Sequence, residues 1–389
     1  MIFDNCVKEK ALGVYLHIPF CIRKCNYCDF CSFPDTDGKL MSAYADELIR
    51  RIKEFSLRYG KRKVDTVYFG GGTPTLMPTE LFEKIIIALN ENFYISSNAE
   101  ITVECNPTSI DAKGLFALRA LGINRLSIGL QSADNSELKL LGRLHSFEEF
   151  CNTFYDARKV GFDNISVDLM YGIPNQTMES FSKTLAQLVE LSPEHISVYG
   201  LKIEEGTAFF KNVNNLSLPD EDTYAELYTL CCEYLAKNGY SRYEISNFSK
   251  IGRESRHNLK YWQLEDYIGF GVAAHSCVEG ERFGNSRDIK AFICGDDICC
   301  ERQKISEQDL ISEYVMLKLR LAKGISLEDF KAFANKDFKQ AYPMIDSYIK
   351  GGFMVEDNGR IAFTTKGFLV SNTILAQILD FNDFNKFND

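Results

Sequence analysis

The fold of this chain is decided by the sequence Tyr15-Leu-His-Ile-Pro-Phe-Cys21-Ile-Arg-Lys-Cys25-Asn-Tyr-Cys28-Asp-Phe-Cys31. It begins inside a short apolar run, Gly13–Ile18, which we predict to be a β-strand. Three cysteines then follow on the next loop at C-x3-C-x2-C spacing. Because thiolates are soft ligands suited to iron–sulfur clusters or to zinc, the loop is predicted to be a metal site.

The number of cysteines decides which metal is expected. Three thiolates on a four-iron cube leave one iron open, and an open iron can chelate the amine and carboxylate of S-adenosylmethionine (SAM). The alternative is a zinc knuckle, since structural zinc takes four ligands and Cys31 is available as the fourth. The motif after the first strand of a βα series resembles the radical SAM motif, which favours a [4Fe–4S] cluster on Cys21, Cys25 and Cys28.

Beyond the loop, short apolar runs alternate with amphipathic stretches of helical period. The further strands are predicted at Thr66–Phe69, Ile101–Glu104, Arg125–Ile128, Asn164–Leu169 and His195–Tyr199, and the helices at Leu40–Arg58, Thr79–Asn90, Ala112–Leu121, Ser146–Val160 and Met178–Leu191. This repetition implies a parallel sheet with right-handed crossovers. Because about six units are fewer than the eight of a closed barrel, we expect an α/β fold with a partial (β/α)6 radical SAM barrel.

The pattern changes after residue 205. A helix is predicted at Asp220–Asn238, a strand at Tyr240–Asn247 and a glycine-rich turn at Gly269–Ser276. From Ser306, two helices (Gln308–Leu321 and Leu327–Lys336) precede a hairpin of Gly352–Val355 and Arg360–Thr364. We therefore expect residues 1–205 to form the radical SAM core, 206–300 a linking region, and 301–389 a smaller α+β C-terminal domain with a winged-helix-like module.

Composition limits the partners and the compartment. The net charge of −10 argues against a broad nucleic-acid surface, and no apolar run is long enough to span a bilayer. The first 13 residues carry charges and lack an apolar signal-peptide core, so a cytoplasmic protein is expected. Apart from the cysteines of the loop, the thiols show no pattern and are interpreted as small buried hydrophobes: Cys6, Cys105, Cys151, Cys231, Cys232, Cys277, Cys294, Cys299 and Cys300.

Polar residues lie at the ends of the predicted strands, where ligands of an α/β sheet bind. The second strand ends in Gly70-Gly-Gly-Thr73-Pro, whose glycines let the backbone approach a ligand closely, although a glycine run can also be a tight turn. Glu104, Gln131, Arg143 and Asp168 follow later strands. Carboxylates and amides can bond ribose hydroxyls, and an arginine can pair with a carboxylate, so these residues are predicted to form a SAM pocket.

The chain resembles the oxygen-independent coproporphyrinogen III oxidases of the radical SAM family and, more closely, their relatives the HemW-type haem chaperones. The resemblance extends over nearly the whole chain. It implies that SAM is contacted by residues that match the SAM contacts of that group: Tyr15, Tyr27, Gly71, Gly72, Thr73, Glu104, Gln131, Arg143 and Asp168.

Three features favour the chaperones over the oxidases. The oxidases have a further cysteine two residues after the third cluster cysteine, where this chain has Phe30, and Cys31 is one residue late. Only 20 residues precede Cys21, whereas the oxidases carry a longer N-terminal extension. The segment 256–262 contains H-N-x-x-Y-W and resembles the chaperones' haem-binding signature, as do the flanks 243–248 and 269–276.

The resemblance implies that the linking region 206–300 also binds haem, and its candidate residues are His257, Asn258, Tyr261, Trp262 and, in reserve, His275. A neutral imidazole can ligate haem iron, and the tyrosine and tryptophan rings offer flat faces to a porphyrin. From the residues alone, a packed loop in which these side chains are structural is the alternative. Trp262 is the single tryptophan of the chain.

Three functions remain open at this point. The first is a chaperone that binds haem as cargo and delivers it to a haem-accepting target protein, with a flavodoxin or ferredoxin as electron donor. The second is an enzyme that decarboxylates two propionates of coproporphyrinogen III by radical chemistry. The third is radical modification of tRNA, which the acidic charge disfavours. Phe30, the short N-terminus and the H-N-x-x-Y-W segment favour the first, and we do not expect oxidase activity.

Overall fold

The centre of the fold is a twelve-stranded sheet whose middle six strands are parallel and pair in chain order. The computed structural model of this chain describes residues 11–35 and 38–379. All seven residues of the fourth strand are buried, as expected for a strand covered on both faces. The predicted six-unit α/β architecture is confirmed, with β1 (Leu12–Ile18), β2 (Lys63–Gly71), β3 (Tyr94–Cys105), β4 (Arg125–Gln131), β5 (Ile165–Tyr171) and β6 (His195–Gly200).

Helices connect these strands, and all of them except the fourth were predicted. They are α1 (Lys39–Tyr59), α2 (Thr79–Asn92), α3 (Ala112–Ala120), α4 (Asn135–Leu141), α5 (Phe147–Lys159) and α6 (Met178–Leu191). Helix α1 forms because Tyr44, Leu48, Ile52 and Phe55 recur on one face, which is buried against the sheet layer. Helix α5 begins at a capping box in which Ser146 accepts from the third helical amide.

Both edges of the sheet are extended by strands from later in the chain. On one side β9 (Tyr267–Phe270) pairs in parallel with β1 and is followed by antiparallel strands, and on the other side β6 is followed by two short antiparallel strands. Strands β7 to β12 are Ser241–Arg242, Asn247–Ser249, Tyr267–Phe270, His275–Val278, Glu281–Asn285 and Cys299–Lys304. A boundary at residue 205 stays a prediction, because these strands continue the sheet of the first 205 residues.

Two predictions for this region are wrong. Tyr240–Asn247 is not one strand, because the chain turns between β7 and β8 where the Tyr243 amide bonds the Asn247 carbonyl at 3.1 Å. Gly269–Ser276 is not a simple turn, because its two ends belong to β9 and β10. A Cβ on Gly269 would lie 2.4 Å from the His275 carbonyl oxygen, so this glycine permits close approach of two strands.

The H-N-x-x-Y-W segment lies on a helix, α9 (Arg256–Gln263), and not in a packed loop, which was the alternative to a haem site. Ser255 caps this helix by accepting from the Asn258 amide. The remaining helices before the C-terminal module are α7 (Ala208–Lys211) and α8 (Glu221–Lys237), which confirms the predicted helix at 220–238, and α10 (Ile289–Ile293) follows α9.

The C-terminal module combines helices with a three-stranded antiparallel sheet in the order β13-β15-β14, which agrees with the predicted winged-helix-like arrangement. Its helices α11 to α16 are Glu307–Leu319, Leu327–Ala334, Phe338–Ala341, Ile345–Lys350, Thr365–Leu369 and Ser371–Leu379, and its strands β13 to β15 are Ile325–Ser326, Met354–Asp357 and Arg360–Phe363. The main core and the module share one continuous hydrophobic cluster.

The cysteines outside the loop are only partly as expected. Cys105 and Cys231 are buried, but Cys294 is exposed at the end of α10, so its interpretation as a buried hydrophobe is wrong. Cys6 lies outside the described residues. No helix in the described part of the chain is both long and apolar enough to cross a bilayer.

Candidate functional site: a cluster loop over the ends of the strands

The cysteine loop after β1 is fastened to the C-terminal end of α4. Arg23 Nη2 donates to the Gly142 carbonyl at 2.8 Å, and the Asn26 amide donates to the Leu141 carbonyl at 3.0 Å. The Asn26 side chain adds a bond of 2.8 Å to the Leu140 carbonyl. Because the last carbonyls of a helix have no intrahelical partner, the loop caps α4 and is held in place by it.

The three motif cysteines share one cavity, and Cys31 does not. Cys21, Cys25 and Cys28 line a first cavity of about 300 Å³, whereas Cys31 is buried and lines a second cavity. In the described residues no three His, Cys, Asp or Glu side chains, those of the motif cysteines included, are close enough together to hold a single ion. Burial raises the pKa of the Cys28 thiol to about 11 and so favours the protonated thiol, whereas bound cations such as cluster irons would favour the thiolate.

The glycine run joins the ends of β1 and β2. Gly71 has φ +115°, and its amide donates to Glu104 Oε2 at 2.9 Å. The Gly72 amide donates to the Ile18 carbonyl at 2.9 Å, and a Cβ on Gly72 would lie 2.7 Å from the Phe20 carbonyl oxygen. A side chain at Gly72 would therefore collide with the start of the cysteine loop, so this glycine is needed for the close approach of two segments of the chain itself.

Two carboxylates and a buried arginine face one another under the loop. Glu104 accepts from Tyr68 Oη at 2.9 Å, and burial together with the Asp168 charge raises the pKa of Glu104 to about 7. Burial also raises the pKa of Asp168, which accepts from Ser127 Oγ at 3.2 Å. The Arg125 guanidinium opposes both shifts. These oxygens are acceptors suited to the hydroxyls and ammonium group of SAM.

Arg143 connects the cysteine loop to the strand ends. Its Nη2 donates to Asn106 Oδ1 at 2.7 Å and to the Gly129 carbonyl at 2.8 Å, and its Nη1 lies 3.7 Å from Cys25 Sγ. Its Nε is buried and has no hydrogen-bond partner among the described residues. An unused donor beside a cluster cysteine fits a ligand carboxylate, as the methionyl end of SAM would provide.

The structure brings most predicted SAM residues together. The first cavity is lined by Tyr27, Gly71, Gly72, Thr73, Glu104, Gln131, Arg143 and Asp168 with the three motif cysteines. Tyr15 instead lines the second cavity, and its hydroxyl bonds His17 Nδ1 at 3.0 Å. Sequence reasoning missed further lining residues, namely Tyr68, Asn106, Arg125, Ser127, Ser197 and Tyr199. Most of these residues are an even number of positions away from another residue that faces the cavity. Because side chains alternate between the two faces of a strand, this spacing is the signal by which they could have been found.

The H-N-x-x-Y-W residues do not form one site. His257 is 1% exposed, with Nδ1 2.9 Å from Thr66 Oγ1 and Nε2 2.8 Å from Tyr261 Oη, so both nitrogens are used inside the protein. Burial lowers the pKa of His257 to about 3, which keeps the ring neutral. Asn258 lines the first cavity and Tyr261 the second, while Trp262, half-buried on α9, lines neither of them. The expectation of a free His257 ligand does not fit this geometry.

The second cavity lies on the other side of the cysteine loop. Its volume is about 600 Å³, and Tyr27, Cys28 and Phe30 border both cavities. His275 is exposed at the start of β10 and lines this second cavity with Tyr261 and other aromatic residues. The two histidines predicted to bind haem therefore have different surroundings. His275 lines the second cavity, whereas the His257 ring stacks on Tyr68 with 5.2 Å between ring centroids.

The fold and this site match one class of protein. Residues 15–188 match the radical SAM superfamily, and residues 305–370 match the HemN C-terminal domain. Coproporphyrinogen III oxidase HemN of Escherichia coli, a radical SAM enzyme, has the same fold, with a TM-score of 0.84 over 98% of this chain and 92% of its own at 24% identity. The chain is a radical SAM protein.

Relatives along the whole chain narrow the class to a family. The haem chaperone HemW of Lactococcus lactis is 33% identical over 95% of this chain and 98% of its own length. HemW of Bacillus subtilis and of Escherichia coli are each 32% identical, over 94% and 96% of this chain and 99% of their own lengths. The chain belongs to the HemW family of haem chaperones.

Proposed function

We propose that this protein binds haem and delivers it to a haem-accepting target protein, with a [4Fe–4S] cluster and SAM bound under the cysteine loop. The observation that carries the proposal is the pair of cavities on the two sides of that loop, in a chain related over its whole length to haem chaperones. The cysteine cavity suits the cluster and SAM, and the larger aromatic cavity suits a flat cargo.

The cluster would be held by Cys21, Cys25 and Cys28, and it supplies an open iron and a low-potential electron. The rest of the site is supplied by the chain. Arg143 offers an unused donor for a carboxylate, and Glu104 and Asp168 offer acceptors in a buried pocket. Tyr27 and Phe30 form the wall shared by the two cavities.

Partners would meet the protein at the cysteine loop. Ile22 is 67% exposed and Phe30 is 64% exposed there, beside the charged residues Arg23 and Lys24. Such a rim suits transient contact with an acidic electron donor of the flavodoxin or ferredoxin type, and with an acceptor that must reach the cargo. An oxygen-sensitive cluster favours the cytoplasm as its compartment.

The test is anaerobic reconstitution with iron and sulfide, followed by two parallel assays. Ferric haem is titrated while the Soret band is followed, and the loaded protein is then mixed with an apo-haemoprotein such as apomyoglobin. We expect a saturable Soret shift followed by transfer of the haem. In the second assay, coproporphyrinogen III, SAM and a low-potential reductant are added, and we expect no protoporphyrinogen at catalytic turnover.

Failure of haem binding by the reconstituted protein would contradict the proposal. Catalytic formation of protoporphyrinogen would replace it by the oxidase function. Phe30 argues against this second outcome, because its exposed side chain stands where the oxidases have a further cysteine. The sulfur of the neighbouring Cys31 is directed instead toward the Arg287 carbonyl, at 3.9 Å.

A further inference from the structure

The five histidines of the chain differ in how far their ring nitrogens are already used, and all lie among the described residues. Four are buried and have ring nitrogens hydrogen-bonded inside the protein: His17, His145, His195 and His257. His275 is exposed, and no residue in the described ranges hydrogen-bonds its ring. An iron ligand needs a free nitrogen lone pair, which His275 can offer without breaking an internal bond.

The His275 ring has a fixed place on the sheet. His275 pairs with Gly284 across β10 and β11, and a Cβ on Gly284 would lie 3.0 Å from Nδ1 and Cε1 of the ring. The imidazole thus lies in the space that a side chain at 284 would occupy. Because Gly284 has no positive φ, an alanine fits its backbone but would push the ring away.

The second cavity gives a flat ligand room beside this ring. Its volume of about 600 Å³ lies within the usual range of small-molecule sites, roughly 300–1,000 Å³. Tyr27, Tyr261 and Tyr267 line it, and the last two meet edge to face with 4.6 Å between ring centroids. Aromatic walls with hydroxyl groups suit a ligand that is apolar over its faces and polar at one edge.

Arg287 supplies a positive charge at the rim of the same cavity. Its guanidinium is 64% exposed and pairs with Asp29 of the cysteine loop at 3.3 Å. Exposed ion pairs of this kind contribute little stability, so the guanidinium is free to exchange partners. The planar guanidinium fork matches a carboxylate, such as the propionate of a haem.

We infer that haem occupies the second cavity, with His275 as an axial ligand of the iron and Arg287 beside a propionate. This inference rests on the proposed function, because it assigns a place to the haem that the protein is proposed to carry. It places the cargo against Asp29 and Phe30, on the loop that holds the cluster. The H-N-x-x-Y-W helix then contributes a wall through Tyr261, and His257 holds that tyrosine in position.

The test compares variants of the reconstituted full chain by titration with ferric haem and with iron-free protoporphyrin IX. His275→Ala should weaken haem binding about tenfold or more and alter the Soret band, while protoporphyrin binding changes little. Free imidazole should restore the parent spectrum in this variant. Gly284→Ala, which keeps the imidazole but moves it, should also alter the Soret band.

Arg287→Gln should weaken the binding of haem but not of haem dimethyl ester, which lacks the propionate charges. Arg253→Gln is the matched control, because the Arg253 side chain is 40% exposed, pairs with Asp163 at 4.0 Å and lines neither cavity. If the parent protein binds no haem, the proposed function fails. If it binds haem and His275→Ala has the parent's affinity and spectrum, the proposed function stands and this site is wrong.

Discussion

Single side chains in this protein act mainly through what they hold in position. His257 is an example, since its two nitrogens bond Thr66 and Tyr261 and its ring stacks on Tyr68, which in turn donates to Glu104. The residue thus supports both cavities without lining either of them. A histidine beside aromatic residues in a sequence cannot be assigned as a ligand or a support until its burial is known.

His257→Ala is therefore expected to lower the thermal midpoint and weaken SAM binding, because it leaves the buried Thr66 hydroxyl and the half-buried Tyr261 hydroxyl without this partner. A cost of about 1–3 kcal/mol is typical for such a loss. Calorimetry and SAM titration measure the two effects. Because we assign the axial iron ligand to His275, the coordination of bound haem iron in this variant should be that of the parent. Loss of the axial-ligand signature in His257→Ala would therefore contradict the assignment to His275.

The cluster ligands give a sharper prediction. Cys21→Ala, Cys25→Ala and Cys28→Ala should each lose most of the iron of the reconstituted protein, about four atoms per chain in a full cubane. Cys31→Ala is the matched control, because it removes a thiol of the same loop that lines the other cavity. Iron and sulfide analysis, together with the visible absorption spectrum, measures the cluster content of each variant. Equal iron loss in all four variants would contradict the ligand assignment.

The elements of the barrel could be predicted well because their patterns are local. Strand β4 is buried along its whole length, and α6 begins and ends as predicted at Met178–Leu191. The predicted strand and turn at 240–276 failed because pairing there depends on distant partners, such as β1 for β9. In the site, the cysteine spacing singled out a loop whose three motif cysteines line the first cavity, but buried Arg125 could not be found because burial of a charge depends on the whole sheet.

At the scale of elements, Gly72 joins the ends of β1 and β2. Gly72→Ala should lower both cluster content and SAM binding, because its Cβ would displace the Phe20 backbone next to Cys21. Gly122→Ala is the control: it carries a positive φ of 92°, and no atom lies within 4 Å of its Cβ. Iron analysis and SAM titration should show a loss in the first variant and parent values in the second. Full cluster content in Gly72→Ala would show that the loops can separate without harm.

At the scale of the whole molecule, the C-terminal module is joined to the main sheet beside Glu244. Glu244 and Leu321 form an isolated antiparallel β-bridge, and the Ala322 amide donates to the Tyr243 carbonyl at 2.9 Å. Burial raises the pKa of Glu244 to about 7, while the Arg320 charge opposes this shift. In the folded chain Glu244 therefore stays protonated up to a higher pH than in the unfolded chain, where its pKa is that of an ordinary glutamate.

This difference predicts how stability depends on pH. The pKa of Glu244 is higher in the folded chain than in the unfolded chain. Its contribution to the free energy of unfolding is therefore fully present below about pH 4.5 and is lost as the pH rises toward about 7. Glu244→Gln, which mimics the protonated acid, should be more stable than the parent at pH 8 by ~1 kcal/mol or more, and the gain should shrink at pH 5. Denaturant unfolding at the two pH values measures it. The exposed Glu233→Gln is the control, and an equal gain at both pH values would exclude the titration of Glu244.

Trp262 lies on α9 next to Tyr261, which borders the larger cavity, and it is the single tryptophan of the chain. Its fluorescence therefore comes from one place, and haem absorbs in the region where tryptophan emits. Loading the cavity should quench that emission by energy transfer, and handing the haem to an acceptor should restore it. Stopped-flow fluorescence of the unlabelled protein would then time cargo release directly, with protein whose Trp262 is replaced by Phe as the dark reference.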